Sequence, residues 1–260
     1  MSATSLDSGV LKRPTRAEAW SLAEAQNDAL AAELRALNPE DWNAPTDCER
    51  WRVKDIVAHL LGWAEFFTSA SEFRLQLRAL VPGKRELPTA TDVQNELQVN
   101  DRRDLSPQEL LAGLEKALPR FLTFRTRATR MAGIVPFYAG ILGPATVGLL
   151  MATVFTRDVF MHRIDIARAT GRELAVGESE RRLVADVVRD WGRRSKADAR
   201  LLLTGDAGGD YVLGSGSRAR ISGDPLEFCR IMSGRAEPEV MTVSGDREAA
   251  ASWLGKKVVF

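Results

Sequence analysis

The chain has 260 residues, of which 45% are hydrophobic and 27% are charged, a composition typical of a globular protein with one or two domains. Its 36 lysines and arginines nearly balance its 35 aspartates and glutamates, which argues against a nucleic-acid partner, because such a partner usually requires a basic excess. The two cysteines, Cys48 and Cys229, are far apart in sequence and do not suggest a disulfide framework. They favour a reducing, cytoplasmic environment.

The N-terminal third of the chain predicts two long helices. Residues 1–15 are polar and lack an apolar stretch, so we expect a disordered N-terminus and not a secretory signal. Apolar residues recur at helical spacing over residues 16–37, and Asn38-Pro39 ends the pattern. A second helical pattern predicts a helix over residues 53–80.

Two further long helices are predicted before residue 172. Ser106 and Glu109 form a capping box with a proline between them at the first helical position, which indicates the start of a helix. The last long helix is predicted to begin near Pro144 and to end at Gly171. Four long helices separated by loops favour a four-helix bundle over residues 16–172.

An uncharged segment over residues 131–155 is long enough to cross a bilayer. Its two prolines and four glycines would interrupt the backbone hydrogen bonds that a lipid-exposed helix must keep. The pattern therefore argues against a membrane span and favours a loop that leads into a buried helix. A peripheral membrane protein that uses this segment remains an alternative.

The sequence pattern changes after Gly171 and predicts a small α+β domain over residues 177–260. One helix, over about residues 177–195, precedes short strand-like segments. Asp224 and Glu227 then form a capping box for a helix that ends at Gly234. The predicted fold class is α+β, with the domain boundary near residues 172–177. The predicted strands cover residues 201–204, 211–214, 219–222 and 240–244.

The chain contains only two histidines, His59 and His162, and each lies on the apolar side of a predicted bundle helix. Asp158 precedes His162 by four residues, so their side chains share a helix face and can converge on one ion. His59 could supply a third ligand. Two imidazoles and one carboxylate occur in catalytic zinc sites and in facial-triad iron sites, so ligand type alone does not choose the metal. The alternative is a core histidine and an ordinary Asp–His pair.

Other polar residues could support such a site or could be purely structural. Asp55, four residues before His59, and Asp165, three residues after His162, could each orient a histidine ring. Cys48 fits the role of a small buried residue better than that of a reactive thiol. Four arginines near the end of the third helix form either a solvated face or a carboxylate-binding site. They are Arg120, Arg125, Arg127 and Arg130.

Three segments carry a family resemblance. WRVKDIVAHLL at residues 51–61 and DVFMHRIDIARATG at residues 158–171 resemble two helix signatures of the mycothiol-dependent maleylpyruvate isomerase family. That family begins with a DinB-like metal-binding four-helix bundle. SGDPLEFCRIMSGR at residues 222–235 resembles, more weakly, the sterol-carrier-like domain that follows the bundle.

The resemblance implies a zinc ion bound by His59, Asp158 and His162. The family's carboxylate is usually glutamate, and aspartate is shorter by one methylene, or about 1.5 Å of reach. Whether Asp158 replaces the glutamate effectively is therefore open. The resemblance also implies a functional arginine in the C-terminal domain, for which Arg235 is our catalytic candidate. A structural salt bridge is the alternative role for Arg235.

The function predicted from these features is a metal-dependent and mycothiol-dependent isomerase or transferase in the cytoplasm. Its partners would be a small-molecule thiol and a small electrophilic substrate. The divalent metal would stabilise the thiolate that attacks the substrate. The alternative is a non-enzymatic protein that binds a metal and a hydrophobic ligand.

Overall fold

A computed structural model of the chain describes residues 5–7, 11–79, 89–138 and 144–260. The fold class is α+β, as predicted. The chain divides into two compact units: Ala23–Glu173 forms one unit, and Leu174–Phe260 forms the other together with the N-terminal residues up to Leu22. The independent folding of a bundle and a C-terminal domain stays a prediction. The described residues include no helix that is long and apolar enough to cross a membrane.

The first unit is built around α2. This helix (Val53–Phe66) packs against α3 (Ala70–Ala79), α4 (Ala90–Asp101), α5 (Pro107–Ala132) and α7 (Phe155–Thr170). It carries an almost continuous series of buried side chains, including Val53, Ile56 and Val57, which are fully buried. The helices of this unit are α1 (Arg16–Arg35, which begins in the other unit), α2 (Val53–Phe66), α3 (Ala70–Ala79), α4 (Ala90–Asp101), α5 (Pro107–Ala132), α6 (Val147–Leu149) and α7 (Phe155–Thr170).

The single helix predicted over residues 53–80 is wrong, since α2 and α3 are separate helices. The Ser69 hydroxyl accepts the N–H of Glu72 at 3.4 Å and so starts a new helix. The apolar pattern continues across this break, so periodicity alone does not reveal it. The predicted end near residue 80 lies outside the described residues. The next helix, α4, was not predicted, although Thr89 and Asp92 cap its start reciprocally.

The predicted start of α5 and the predicted end of the last bundle helix are confirmed, whereas Pro144, near which the last helix was predicted to begin, lies in a short strand and the helical residues start at Val147. The N–H of Ser106 donates to Glu109 at 2.8 Å in the predicted capping box of α5. The last helix ends at Gly171, whose φ of 65° needs the left-handed freedom of glycine. Between α6 and α7 the chain forms a π-helical segment, Leu150–Val154, which the sequence did not predict.

The uncharged segment over residues 131–155 includes two short paired strands. The strands β2 (Pro136–Tyr138) and β3 (Pro144–Thr146) pair in antiparallel fashion. Residues 139–143 lie outside the described residues. The segment then continues into α6, as expected of a loop that leads into a helix.

The second unit contains a five-stranded mixed sheet in the order β1-β5-β4-β6-β7. The first strand, β1 (Ser5–Asp7), pairs in parallel with β5, although the sequence predicted disorder there. The core is centred on Trp191, Tyr211 and Phe228. The helix α10 was not predicted. The remaining elements are α8 (Glu178–Ser195), β4 (Ala199–Leu203), β5 (Gly209–Leu213), β6 (Ala219–Gly223), α9 (Pro225–Ser233), β7 (Thr242–Gly245) and α10 (Arg247–Leu254).

Candidate metal centre

The structure brings together the three predicted metal ligands. Asp158 Oδ2 lies 3.7 Å from Nε2 of His59, and Asp158 Oδ1 lies 3.5 Å from Nε2 of His162. The three ligand atoms lie within 4.8 Å of one another. Two neutral imidazoles and one carboxylate at these separations could hold one divalent ion.

The packing of α2 against α7 explains this convergence. Asp158 and His162 are one helical turn apart on α7, so they point to the same side. His59 lies in the middle of α2, and each histidine is only 3% exposed. The side chain of Asp158 is 23% exposed, so the carboxylate forms the more accessible side of the cluster.

The second nitrogen of each histidine is held by an oxygen atom. Nδ1 of His59 lies 3.0 Å from Oε1 of Gln98, and Nδ1 of His162 lies 3.0 Å from Oδ2 of Asp165. An Nδ1–H that donates to these oxygens leaves the lone pair of each neutral imidazole on Nε2, the atom that faces Asp158. Both rings are therefore oriented for metal binding.

The electrostatic environments of the two histidines differ. Burial lowers the pKa of His59, and the nearby carboxylate of Asp158 only partly offsets this effect. Burial also lowers the pKa of His162, but the charge of Asp158 and the hydrogen bond to Asp165 outweigh it and raise this pKa to about 10. In the ion-free protein the acids around His162 thus favour a protonated ring, and an ion bound at Nε2 would replace that proton.

The two aspartates considered as supporting groups have different roles. Oδ2 of Asp55 accepts the backbone N–H of Arg52 at 2.8 Å, so Asp55 caps the start of α2. Asp165 is fully buried and contacts the ring of His162. Asp55 therefore has the structural role, and Asp165 orients a histidine.

A loop before α2 covers one side of the cluster. The ring of Trp51 lies 4.9 Å from that of His59 and 6.2 Å from that of His162, measured between centroids. The Thr46 hydroxyl donates to the carbonyl of Trp51 at 2.8 Å and holds the loop closed. Trp51 therefore forms a hydrophobic wall beside both histidines.

A second group of possible ligand atoms shares His162. The Cys48 thiol donates to Oδ2 of Asp165 at 3.6 Å, and these two residues with His162 could also hold an ion. An ion there would have to replace the proton between Nδ1 of His162 and Asp165. The group with His59 is the better candidate, because its ligand nitrogens keep these hydrogen bonds.

The four arginines of α5 do not form one group. Arg125 is buried, while Arg120, Arg127 and Arg130 are exposed. Arg125 Nε donates to the carbonyl of Met151 at 2.6 Å, and its Nη2 donates to the hydroxyl of Thr156 at 2.6 Å. Burial lowers the pKa of Arg125 to about 9, against the opposing charge of Asp158. Arg125 therefore links α5 to the π-helical segment that precedes the ligands on α7.

The catalytic candidate Arg235 lies in the second unit, directly after the glycine that ends α9. Its N–H donates to the carbonyl of Arg230 at 2.8 Å, and Nη2 of Arg230 donates back to the carbonyl of Arg235 at 3.2 Å. These bonds fix the backbone at the helix end. The catalytic role of Arg235 stays a prediction.

Gln98, whose side-chain oxygen faces the ring of His59, was not among the residues predicted from the sequence. A signal for it was present, because Thr89 and Asp92 have capping-box spacing and Gln94 and Gln98 are one helical turn apart. Glutamine is usually a surface residue, so this spacing alone suggests a solvated helix face.

The fold and the site together define a helical bundle that carries two histidines and an aspartate at one candidate metal centre, in a chain that also contains an α+β unit. The family model for the mycothiol maleylpyruvate isomerase N-terminal domain matches residues 23–167, which is more than half of the chain. The chain therefore belongs to this family.

Two solved structures have a similar fold. They are crystal structures of the mycothiol-dependent maleylpyruvate isomerase and of a histidine-to-alanine mutant of it. Each is 15% identical to this chain, with a TM-score of 0.60, and the match covers 88% of this chain and 93% of the other. At this identity the likeness shows the fold alone. No curated protein matches the sequence.

Proposed function

We propose that this protein is a metal-dependent enzyme in which His59, Asp158 and His162 hold one divalent ion. The observation that carries the proposal is the convergence of three ligand atoms from α2 and α7 within 4.8 Å. Oxygen atoms of Gln98 and Asp165 support it, because they direct Nε2 of both histidines toward the same position.

The donor set fits zinc. Two ligand atoms bound at about 2.0–2.1 Å to one tetrahedral zinc ion lie roughly 3.3 Å apart. The carboxylate of Asp158 lies 3.5 and 3.7 Å from the two imidazole nitrogens, so these two pairs of ligand atoms would need only small shifts. Three protein ligands leave a coordination position for a further ligand, as in catalytic zinc sites.

The proposed reaction is a thiol-dependent isomerisation or transfer on a small electrophilic substrate, with mycothiol as the thiol. Membership in the family supports this choice, since the similar solved structures are of a mycothiol-dependent maleylpyruvate isomerase. A divalent ion bound here supplies the charge that stabilises a thiolate at neutral pH. Trp51 would exclude water from one side of the site, which strengthens the electrostatic interactions within it.

The chain's own cations would bind a carboxylate of the thiol or the substrate. We propose Arg235 for this role, as the family resemblance implies, because a guanidinium binds a carboxylate through two parallel hydrogen bonds. Arg125 is a poorer candidate, because two of its nitrogens already donate to Met151 and Thr156.

Metal content tests the ligand assignment. The purified protein is expected to contain about one zinc ion per chain by elemental analysis, and His59→Ala and His162→Ala should each lose it on dialysis. Asp28→Asn, an acid-to-amide change at an exposed position of α1, serves as the matched control and should keep the metal. If both histidine variants retain wild-type zinc, the assignment is wrong.

Calorimetry with mycothiol tests the thiol chemistry. The zinc-loaded protein should bind the thiol and release a proton, whereas the metal-free protein should show neither the heat nor the proton. Arg235→Gln should weaken binding or turnover and keep the zinc, because its proposed partner is a carboxylate. Equal binding by the metal-free and loaded proteins would contradict the enzyme proposal and favour a non-enzymatic carrier of a hydrophobic ligand.

A further inference from the structure

Three buried glutamines on α3 and α4 form a hydrogen-bonded group that reaches the ring of His59 on α2. Gln76 on α3 and Gln98 on α4 are fully buried, and Gln94 is 6% exposed. Buried amides require hydrogen-bond partners for both their oxygen and their nitrogen, so the direction of each bond can be worked out. The directions form one chain that begins at Gln76 and ends at the metal centre.

The orientation of Gln76 follows from its two acceptors. Its Nε2 lies 3.1 Å from the carbonyl oxygen of Gly62 and 3.3 Å from Oε2 of Glu72. The same carboxylate oxygen accepts Nη2 of Arg102 at 2.7 Å. A carbonyl and a carboxylate can only accept hydrogen bonds. The atom of Gln76 that faces them must therefore be its amide nitrogen, and the alternative orientation with the amide oxygen there is excluded. Its oxygen must therefore face the opposite way.

The orientation of Gln98 follows from that of Gln76. Oε1 of Gln76 accepts Nε2 of Gln98 at 2.9 Å and Nε2 of Gln94 at 3.0 Å. The nitrogen of Gln98 is committed to this bond, so its oxygen is the atom 3.0 Å from Nδ1 of His59. An amide oxygen only accepts, and Nδ1 must therefore carry the hydrogen.

We propose that Gln76 is a positioning residue, which fixes the tautomer of His59 through Gln98 and so keeps the lone pair of Nε2 directed at the metal site. The inference rests on the proposed metal site. It adds that this histidine is prepared for metal binding by a side chain that does not touch it.

Gly62 makes room for this hydrogen-bond chain. A Cβ at position 62 would lie 2.5 Å from Cγ and 2.6 Å from Cβ of Gln98, far inside van der Waals contact. The carbonyl of Gly62 is also the acceptor that orients Gln76. The glycine thus allows Gln98 to reach His59 and sets the direction of the first bond.

The tautomer can be measured by nitrogen-15 NMR of the histidine rings in the full-length metal-free protein at pH 8.5. The chain has only two histidines, and His162→Ala identifies the signals of His59. The wild type should show a protonated Nδ1 and an unprotonated Nε2 at His59. A wild-type His59 with its proton on Nε2 would overturn the proposal, and this result needs no variant to fold.

Variants test the dependence on Gln76. Gln76→Met should give a mixture of His59 tautomers, because Gln98 can then present either end of its amide. Zinc affinity, measured by chelator competition, should fall about tenfold, as is usual when a group that orients a ligand is lost. Gln108→Met, at an exposed position of α5, is the matched control and should change neither signal.

A double variant separates positioning from general damage. In Gln76→Met combined with Gln98→Glu, the carboxylate at position 98 can only accept, so it should restore a single Nδ1–H tautomer and most of the zinc affinity. Retention of one tautomer by Gln76→Met alone, or failure of the double variant to restore it, would contradict the proposal. If the tautomers behave as expected but no variant binds zinc, the proposed function fails and the positioning role stands.

Discussion

The position of Asp158 bears on whether an aspartate can take the place of the glutamate that the family resemblance implies. Its two carboxylate oxygens already lie 3.7 and 3.5 Å from the two imidazole nitrogens, near the separation expected for atoms bound to one ion. The backbone of α7 therefore brings the shorter side chain within reach of the site.

Asp158→Glu is accordingly expected to weaken zinc binding. The extra methylene would push the carboxylate into the space between two buried rings, and inserting a methylene into a packed site costs about 1–3 kcal/mol. A cost of about 1.4 kcal/mol, within this range, corresponds to a tenfold loss of affinity, measurable by chelator competition. Tighter binding by the glutamate variant would contradict this and would mean that the ion sits farther from α7.

The convergence of the three candidate metal ligands could be predicted from the sequence, whereas the groups that orient their rings could be predicted only in part. The ligands follow from one helical repeat, Asp158 to His162, and from the rarity of histidine in the chain. Asp55 and Asp165 have similar spacing to a histidine, yet Asp55 sits in the first turn of α2, where unpaired backbone N–H groups compete for its carboxylate. Gln98 comes from a different helix, so no local spacing links it to His59.

At the scale of elements, capping signals were more informative than apolar periodicity. Ser106 and Glu109 located the start of α5, while the apolar pattern continued across Ser69 and concealed the break between α2 and α3. The π-helical segment Leu150–Val154 could not be predicted from a local pattern, and the hydrogen bond that the Met151 carbonyl accepts in it comes from Arg125 on another helix.

Arg125→Met tests the role of that arginine. The variant keeps an apolar stem but removes the donors to Met151 and Thr156, and leaving such groups unsatisfied costs about 1–3 kcal/mol. Urea unfolding should show this loss. Relative to a regular α-helix, one π-helical turn rotates the residues that follow it by about 100° about the helix axis. If the segment before α7 reverts to regular helix, Asp158 and His162 turn away from His59, and zinc affinity should fall as well.

The matched control for this variant is Arg127→Met, at an exposed position of the same helix. Its unfolding free energy should change by less than about 0.5 kcal/mol, because exposed substitutions without packed partners have small effects. An Arg125→Met protein that is as stable as the control would contradict the assigned role. A less stable protein with unchanged zinc affinity would show that other contacts hold α7 in register.

At the scale of the whole molecule, the sequence predicted that a helical part is followed by an α+β part. It did not predict that the N-terminal residues belong to the same unit as the α+β part. The change of pattern at Gly171 is local and therefore visible in the sequence. The pairing of β1 with β5 joins segments about two hundred positions apart, and such non-local pairing leaves no mark on short-range periodicity.

Deletion of residues 1–22 tests whether the N-terminal residues belong to the unit that contains the sheet. The deletion removes β1, which pairs with β5, and the bonds from Arg182 to Glu18 at 2.5 Å and to the carbonyl of Lys12 at 2.8 Å. Hydrogen exchange at the amides of β5 should therefore become faster, on the order of fivefold, the change that corresponds to about 1 kcal/mol of local stability.

Exchange in α2 and α5 should stay unchanged in the deletion variant. Its zinc content should equal that of the full chain, because the three proposed ligands and their orienting groups lie within Ala23–Glu173. A matching increase of exchange in α2 would contradict the division and would mean that the N-terminal residues stabilise the bundle as much as the sheet.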